Sequence, residues 1–279
     1  MDIVNNDAIV NNDNIVNNDA IVIAILAKDK ELSLPFYLQC IYNQTYNKKK
    51  IHLYIRTNDN KDNTTTILKD FIEKYGNEYA SIYFNDANIS EQLKQYSNHE
   101  WNVFRFNILG KIRQDSIDYA RDLKAHYFVA DCDNFIIPTT IEHLYKYQDG
   151  VISPMLRTGI HDKNCKKIYY SNYHYDVDIN GYYKDHENYY KILYNEITGL
   201  IRVSCIHCTY FIPNKFLSFI KYDDNSKRYE YVIFSDVLRL QNIPQYIDNT
   251  HKYGYLTFAE NKDEFDVEYD SNKHMYSFV

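Results

Sequence analysis

The sequence predicts an α/β domain with a mainly parallel central sheet flanked by helices. Three observations carry that expectation. Short apolar runs alternate with helical patterns as far as Pro154, the rhythm of strands joined by crossover helices. Ala20 to Ala27 is a continuous apolar run, which is how a strand buried on both faces of a parallel sheet reads. A second such strand, beginning at His126, ends abruptly in Asp131-Cys132-Asp133, and the carboxyl edge of a buried strand is where open α/β sheets hold ligands.

Residues 3 to 20 repeat Ile-Val-Asn-Asn-Asp-x three times, too few copies to bury a core, so residues 1–19 are expected to form a low-complexity tail. The folded domain is expected over 20–260. Its first strand is Ala20 to Ala27, and Pro35 opens a helix through about Asn43, since proline is tolerated in a first helical turn. Ile51 to Thr57 is the second strand, followed by the polar loop Asn58 to Asn63, a helix to about Tyr75 and a third strand, Ala80 to Asn85. A long helix from about Val103 to Leu123 carries Ile108, Ile112, Tyr119 and Leu123 on one stripe and leads into the aspartate-tipped strand. Thr139 to Tyr147 reads as a short helix and Gly150 to Pro154 as a strand. From 157 to 200 the chain is dense in Tyr, Asn, Asp and Lys, as a long functional excursion over a sheet would be. Regular structure returns at Val203 to Ile212 and in a helix from Arg228 to Leu240, and residues 261–279 read as an acidic surface tail.

Composition bounds the function. At 279 residues with 45% hydrophobic content and only 7 Gly and 5 Pro, the chain has ample core and little linker, which favours one domain. A net charge of −7 argues against a nucleic-acid reader, which needs a basic face. The 30 tyrosines and many Asn, Lys and Ile match codons rich in A and T, so the skew points to an AT-rich genome, of a parasite or a large virus. The five cysteines (Cys40, Cys132, Cys165, Cys205 and Cys208) make no even disulfide framework, and the C-x-x-C at Cys205 to Cys208 lacks a second pair for a zinc site. No apolar run approaches the ~18 residues of a membrane span and no secretory signal is visible. The expected location is therefore cytoplasmic, in a host cytoplasm or with a virus if the gene is viral. Oligomeric state stays open, a homo-oligomer included.

The chemistry centres on Asp131 and Asp133. Two carboxylates at a strand tip, with no basic residue beside them in sequence, ask for a divalent cation, and Mg²⁺ or Mn²⁺ takes oxygen ligands while leaving room for substrate phosphates. Asp176-Val177-Asp178 repeats the spacing, but no apolar strand precedes it.

Several segments, in order, resemble the first glycosyltransferase domain of animal procollagen galactosyltransferases. They are Ile21-Val22-Ile23-Ala24-Ile25-Leu26-Ala27-Lys28 with Leu34-Pro35-Phe36-Tyr37-Leu38, Thr57-Asn58-Asp59-Asn60-Lys61-Asp62-Asn63-Thr64, and Arg105-Phe106 with Lys111-Ile112-Arg113-Gln114. The likeness continues through Asp131-Cys132-Asp133-Asn134-Phe135, Ser153-Pro154-Met155-Leu156, Tyr170-Ser171-Asn172-Tyr173 and Gly181-Tyr182-Tyr183-Lys184, ending near His251 and Tyr253-Gly254-Tyr255-Leu256. The resemblance implies a Rossmann-like type A glycosyltransferase fold, UDP-galactose or UDP-glucose as donor, a Mn²⁺-type (or Mg²⁺) cation and a collagen-like polypeptide acceptor. The transfer would be galactose to hydroxylysine, or glucose to galactosyl-hydroxylysine. Asp131 and Asp133 would then hold metal and ribose, with His251 as a third metal ligand. Thr57, Asp59 and Asp62 would meet uracil and ribose; an Asx-rich turn with Asp62 capping the next helix is the alternative. Arg105, Lys111 or Arg113 would reach the diphosphate, solvated helix-surface charges being the alternative, and His207 would reach the sugar or acceptor, a satisfied core histidine being the alternative. Glu230 would be the catalytic base of an inverting step. Two departures stand out: the animal proteins carry a second glycosyltransferase domain and a retention signal, and where they have Phe-Asp-Asp this chain has Tyr229-Glu230-Tyr231. A non-catalytic glycosyltransferase-like binding module and a surface-glycan transferase unrelated to collagen stay open as other readings.

Overall fold

The computed structural model describes residues 19–89, 103–158, 160–161, 167–168 and 170–279. Most of the expected N-terminal tail, and Cys165, lie outside the described residues. The central sheet is built from β1 (Ile21–Ala27), β2 (Ile51–Thr57), β3 (Ser81–Asn85), β4 (His126–Ala130), β6 (Val151–Pro154), β7 (Leu200–Val203), β8 (Thr209–Ile212) and β9 (Gln245–Asp248). Two further strands, β5 (Asn134–Ile136) and β10 (Gly254–Leu256), form a separate antiparallel ribbon. The sheet order is β7-β9-β6-β8-β4-β1-β2-β3. Only β8 and the edge strand β7 run against the rest, so the sheet is mostly parallel.

The helices are α1 (Leu34–Tyr42), α2 (Thr64–Tyr75), α3 (Val103–Asp122), α4 (Thr140–Tyr145), α5 (Glu187–Leu193), α6 (Glu230–Leu240) and α7 (Lys262–Asn272). They cover both sheet faces, which explains the continuous apolar runs. On β1, Ile21, Ile23 and Ile25 face the layer of α1 and α2, while Val22 and Ala24 face that of α3 and α6. Because side chains alternate along a strand, both sets must be apolar when neither face meets water. Pro35 sits in the first turn of α1, as expected.

Two expectations are corrected. The stripe Ile108, Ile112, Tyr119 and Leu123 does not mark the inward face of α3. The buried residues are Phe106, Gly110, Arg113, Ser116, Ile117 and Ala120, whereas Leu123 is exposed. Polar Arg113 and Ser116 occupy inward positions, so an apolar stripe misjudges the helix's rotation. Residues 261–279 are also more than a surface tail. Although α7 has no buried residue of its own, Phe265, Tyr269, Met275 and Phe278 pack on the α1 side of the core. Tyr276 is buried and its hydroxyl donates to the Phe135 carbonyl at 3.0 Å. The apolar residues spaced through this acidic segment give it something to bury.

Among the described residues, no helix is long and apolar enough to cross a membrane.

Candidate active site

Strand β4 is the innermost part of the sheet, between β1 and β8, and its five residues are all buried. Beyond Ala130 the chain stops pairing as a strand and turns. The Asp131 amide donates to the Cys208 carbonyl at 2.9 Å, and the Asn134 amide to the Asp131 carbonyl at 2.8 Å. Cys208 adopts a left-handed backbone (φ 64°), which interrupts the segment between β7 and β8 opposite this turn. The ribbon of β5 and β10 then leads away, and the Thr257 amide donates to the Asp133 carbonyl at 3.0 Å. Both aspartates are thus set by backbone contacts from the residue before β8 and the residue after β10.

The fold brings to each carboxylate a cation that is remote in sequence. Arg113 of α3 donates from Nη2 to Asp131 Oδ1 at 2.8 Å. Lys30, in the loop after β1, donates from Nζ to Asp133 Oδ2 at 2.6 Å. The two attachments differ in kind. The Arg113 side chain is 7% exposed, while Lys30 is 36% exposed and each aspartate 28%. Behind Arg113 lies Glu230, at the N-terminus of α6, with Oε1 3.7 Å from Arg113 Nε. Glu230 Oε2 and Arg113 Nη1 are buried without a partner. Burial raises the pKa of the Glu230 carboxyl, against the pull of Arg113 and nearby backbone amides; the Asp131 charge adds to the rise.

The loop after β2, which holds Asp59 and Asp62, is internally tied. Asp62 accepts from the Thr64 amide at 3.0 Å and the Glu31 amide at 3.0 Å, and these amides hold its pKa low although burial acts the other way. Asp62 therefore serves the start of α2 and a link to the β1–α1 loop. Thr57 is buried, its hydroxyl accepting from Asn60 Nδ2 at 2.5 Å. Asp59 has a left-handed backbone (φ 48°) and accepts from the Ile89 amide at 3.1 Å. Asp62 thus forms an Asx turn at the start of α2.

Of the three residues of α3 considered for the diphosphate, Lys111 is on the exposed face, Arg105 is half-buried in the first turn, and Arg113 reaches Asp131. Arg113 is one of the three candidates for a diphosphate, and in the structure its partner is Asp131. His207 is buried, with Nδ1 2.9 Å from the Cys208 sulfur and its ring against Tyr170, His174 and Tyr231. Burial, with His174 and Arg113 nearby, pushes its imidazole well below the ordinary pKa, so the ring is neutral. His251 is exposed and packs on His143 with ring centroids 4.5 Å apart. Among the described residues, no three His, Cys, Asp or Glu side chains converge as a metal-holding group. Asp176 pairs with Lys184 at 2.9 Å and Asp178 accepts from two amides of a turn, so that second Asp-x-Asp is a hairpin feature.

A Mg²⁺- or Mn²⁺-type ion needs only one or two protein carboxylates when substrate phosphates and water complete its shell. Asp131 and Asp133, oxygen donors with part of each carboxylate open to solvent, fit that requirement.

Residues 18–275 match the family described as glycosyltransferase family 25, N-terminal domain. The chain belongs to glycosyltransferase family 25. Among curated family relatives, it is 26% identical over 249 residues to the mouse inactive glycosyltransferase 25 family member 3, matching 85% of this chain and 40% of that protein. It is 27% identical over 246 residues to procollagen galactosyltransferase 1-A of Xenopus laevis, matching 85% of this chain and 39% of that protein. The chain thus spans about 40% of the length of these relatives. Among solved structures, S. aureus TarS residues 1–349 in complex with UDP-GlcNAc superposes with a TM-score of 0.54 at 14% identity, covering 87% of this chain and 59% of the other. That likeness carries the type A glycosyltransferase fold.

Sequence reasoning missed Lys30. It lies in the alternating charges Lys28-Asp29-Lys30-Glu31, 103 residues before Asp133, and no spacing rule connects the two. It also missed the framework role of Asn172, which is fully buried and holds the Leu156 amide, the Ser153 hydroxyl and the Pro154 carbonyl.

Proposed function

We propose that this chain is a metal-dependent hexosyltransferase domain, moving galactose or glucose from a UDP-sugar to the hydroxylysine-linked site of a collagen-like protein. The observation that carries the proposal is the intact aspartate pair at the tip of β4, partly open to solvent and backed by a buried arginine–glutamate pair. Family membership and the names of the procollagen galactosyltransferases among its relatives support the substrate class.

In this reading Asp131 and Asp133 hold a Mn²⁺- or Mg²⁺-type cation, which supplies Lewis acidity to a departing diphosphate. Arg113 fixes the Asp131 carboxylate, so that one of the two ligands keeps its orientation when the donor arrives. Glu230 takes the proton of the acceptor hydroxyl if the linkage inverts. Its unpartnered oxygen offers a lone pair, and its raised pKa moves its basicity toward the operating pH. A retaining glucosyl transfer would lean less on that base.

A second reading has a specific observation behind it: both aspartates are neutralised by protein cations, and relatives of similar identity are named inactive. In that case the chain is a non-catalytic glycosyltransferase-like module. The deciding experiment offers UDP-galactose and UDP-glucose, with Mn²⁺, to hydroxylysine and galactosyl-hydroxylysine peptides, and follows product by mass and anomeric NMR. Wild-type transfer that disappears in Asp131→Asn and Asp133→Asn, both still folded, is the expected result. No transfer or donor hydrolysis from wild type, with UDP still bound, would favour the second reading.

A further inference from the structure

We propose that Lys30 is a counter-ion built into the site, which neutralises Asp133 until a nucleoside diphosphate arrives, so that a divalent cation enters only together with that diphosphate. The inference rests on the reading of Asp131 and Asp133 as metal-holding residues, and it concerns what already occupies them.

Each aspartate already has a cation beside it before any ligand binds. Asp131 faces Arg113 at 2.8 Å and Asp133 faces Lys30 at 2.6 Å, one cation to each carboxylate. A divalent cation arriving alone would meet two anions whose charge is already matched and two cations within a few ångströms. Arriving with a diphosphate, it brings its own anions, which offset its charge. The site therefore couples the two ligands through electrostatics, with no conformational change of the fold required.

The two protein cations are not equally able to leave. Arg113 is enclosed beneath α3 and is held by Glu230 at 3.7 Å as well as by Asp131. Lys30 has a flexible four-carbon stem, and its side chain has solvent on one side. Its backbone, by contrast, is fixed. The Lys30 amide donates to Thr64 Oγ1 at 2.7 Å, and its carbonyl accepts from the Leu34 amide at 2.9 Å. The flanking residues are tied to the β2–α2 loop, with the Glu31 amide on Asp62 at 3.0 Å and Asp29 accepting from the Lys61 amide at 2.7 Å. Only the side chain can swing.

The nearby acids already have partners. Asp29 is paired with Lys28 at 2.5 Å, and Glu31 accepts from Asn63 Nδ2 at 3.0 Å. An ammonium displaced from Asp133 therefore finds its next anion in the incoming phosphate oxygens. Lys30 thereby acts as both guard of Asp133 and contact for the diphosphate.

The test measures Mn²⁺ binding to the full chain by electron paramagnetic resonance and calorimetry, with and without UDP, in wild type and Lys30→Met, which keeps the aliphatic stem. Wild type should take Mn²⁺ weakly alone, and UDP should tighten it by roughly 5–150-fold, the usual span of coupling between two sites. Lys30→Met should bind Mn²⁺ alone at least about tenfold tighter than wild type does, should show a smaller UDP enhancement, and should bind UDP alone more weakly. Equal Mn²⁺ affinity of the two proteins without UDP overturns the role of Lys30 while leaving the metal reading intact. If neither protein takes Mn²⁺ even with UDP bound, the metal reading falls and this inference with it. Thermal melts of both proteins show whether the variant is folded.

Discussion

Replacing Arg113 with methionine tests how the site is held together. The guanidinium is 7% exposed and serves two carboxylates, Asp131 at 2.8 Å and Glu230 at 3.7 Å. Methionine keeps apolar bulk beneath α3 but leaves both acids without their cation. Breaking a buried ion pair by removing one partner costs about 3–5 kcal/mol, because the survivor is left charged and unsolvated. Asp131, with 28% of its side chain open, can recover water, whereas Glu230, 5% exposed, cannot. The lower end therefore applies, about 3 kcal/mol, which at ~2–4 °C per kcal/mol lowers Tm by about 6–12 °C. The pH dependence has a definite sign. Burial raises the folded pKa of Glu230 above its unfolded value, so the folded state has no charge to bury there while the carboxyl is protonated. The penalty builds as pH rises through the folded pKa, and it is larger without Arg113. The Tm gap between wild type and Arg113→Met should therefore be widest at about pH 7.5 and narrow toward about pH 5. Adding Glu230→Gln to the variant should recover part of the loss, since a neutral amide leaves no buried charge. Scanning calorimetry at both pH values reads all three outcomes. A gap below about 2 °C at neutral pH, or one that widens on acidification, would refute the picture of a buried glutamate held by Arg113.

Two further substitutions bear on catalysis and on the ribbon beside Asp133. Glu230→Gln alone should lower kcat by about 10²–10⁴-fold if the enzyme inverts, with UDP affinity nearly unchanged and Tm at neutral pH not reduced; a fully active variant forming a β-linked product would remove Glu230 from the base role. Gly254→Ala should destabilise strongly. Gly254 has φ 141°, and a Cβ there would overlap the Phe135 carbonyl, so the backbone conformation alone costs about 1–3 kcal/mol before the clash is counted, and a melt within 1–2 °C of wild type would count against the observed pairing of β5 with β10.

The parallel half of the sheet was legible because burial on both faces leaves an unmistakable pattern. The expected strands at Ala20 to Ala27 and Ile51 to Thr57 appear as Ile21–Ala27 and Ile51–Thr57, both largely buried, and the one at Ala80 to Asn85 appears as Ser81–Asn85, an edge strand without buried residues. The expected helix at Arg228 to Leu240 appears as Glu230–Leu240. Where a segment makes only short pairings the pattern fades. Val203 to Ile212, read as one regular stretch, is divided among Leu200–Val203, Cys205–Ile206 and Thr209–Ile212, with Cys208 forcing a left-handed turn. The ribbon Asn134–Ile136 is too short to leave any period at all. At the site, the aspartates were readable because an apolar strand ends on them. Their partners were not. An ion pair across 103 residues depends on which loops a fold brings together, and neither composition nor periodicity encodes that.

The different surroundings of the two aspartates divide their labour. Asp131 is locked by a rigid, forked and buried guanidinium that also holds Glu230, so its carboxylate, the arginine and the glutamate behave as one unit. A change of charge at any member alters the burial cost of the others, which is why Glu230 responds to Asp131 as well as to Arg113. Asp133 has only a flexible ammonium from a neighbouring loop, and its own backbone is fixed by Thr257 of the segment after β10. One carboxylate is therefore permanent scaffold with a line to the buried glutamate, and the other is exchangeable ground. Ligand entry should begin at Asp133, and loss of Asp131 should disturb Glu230 as well as the ligand. On that basis, Asp131→Asn and Asp133→Asn are not equivalent lesions. The first should change the pH dependence of stability through Glu230, while the second should leave the contribution of Glu230 close to wild type.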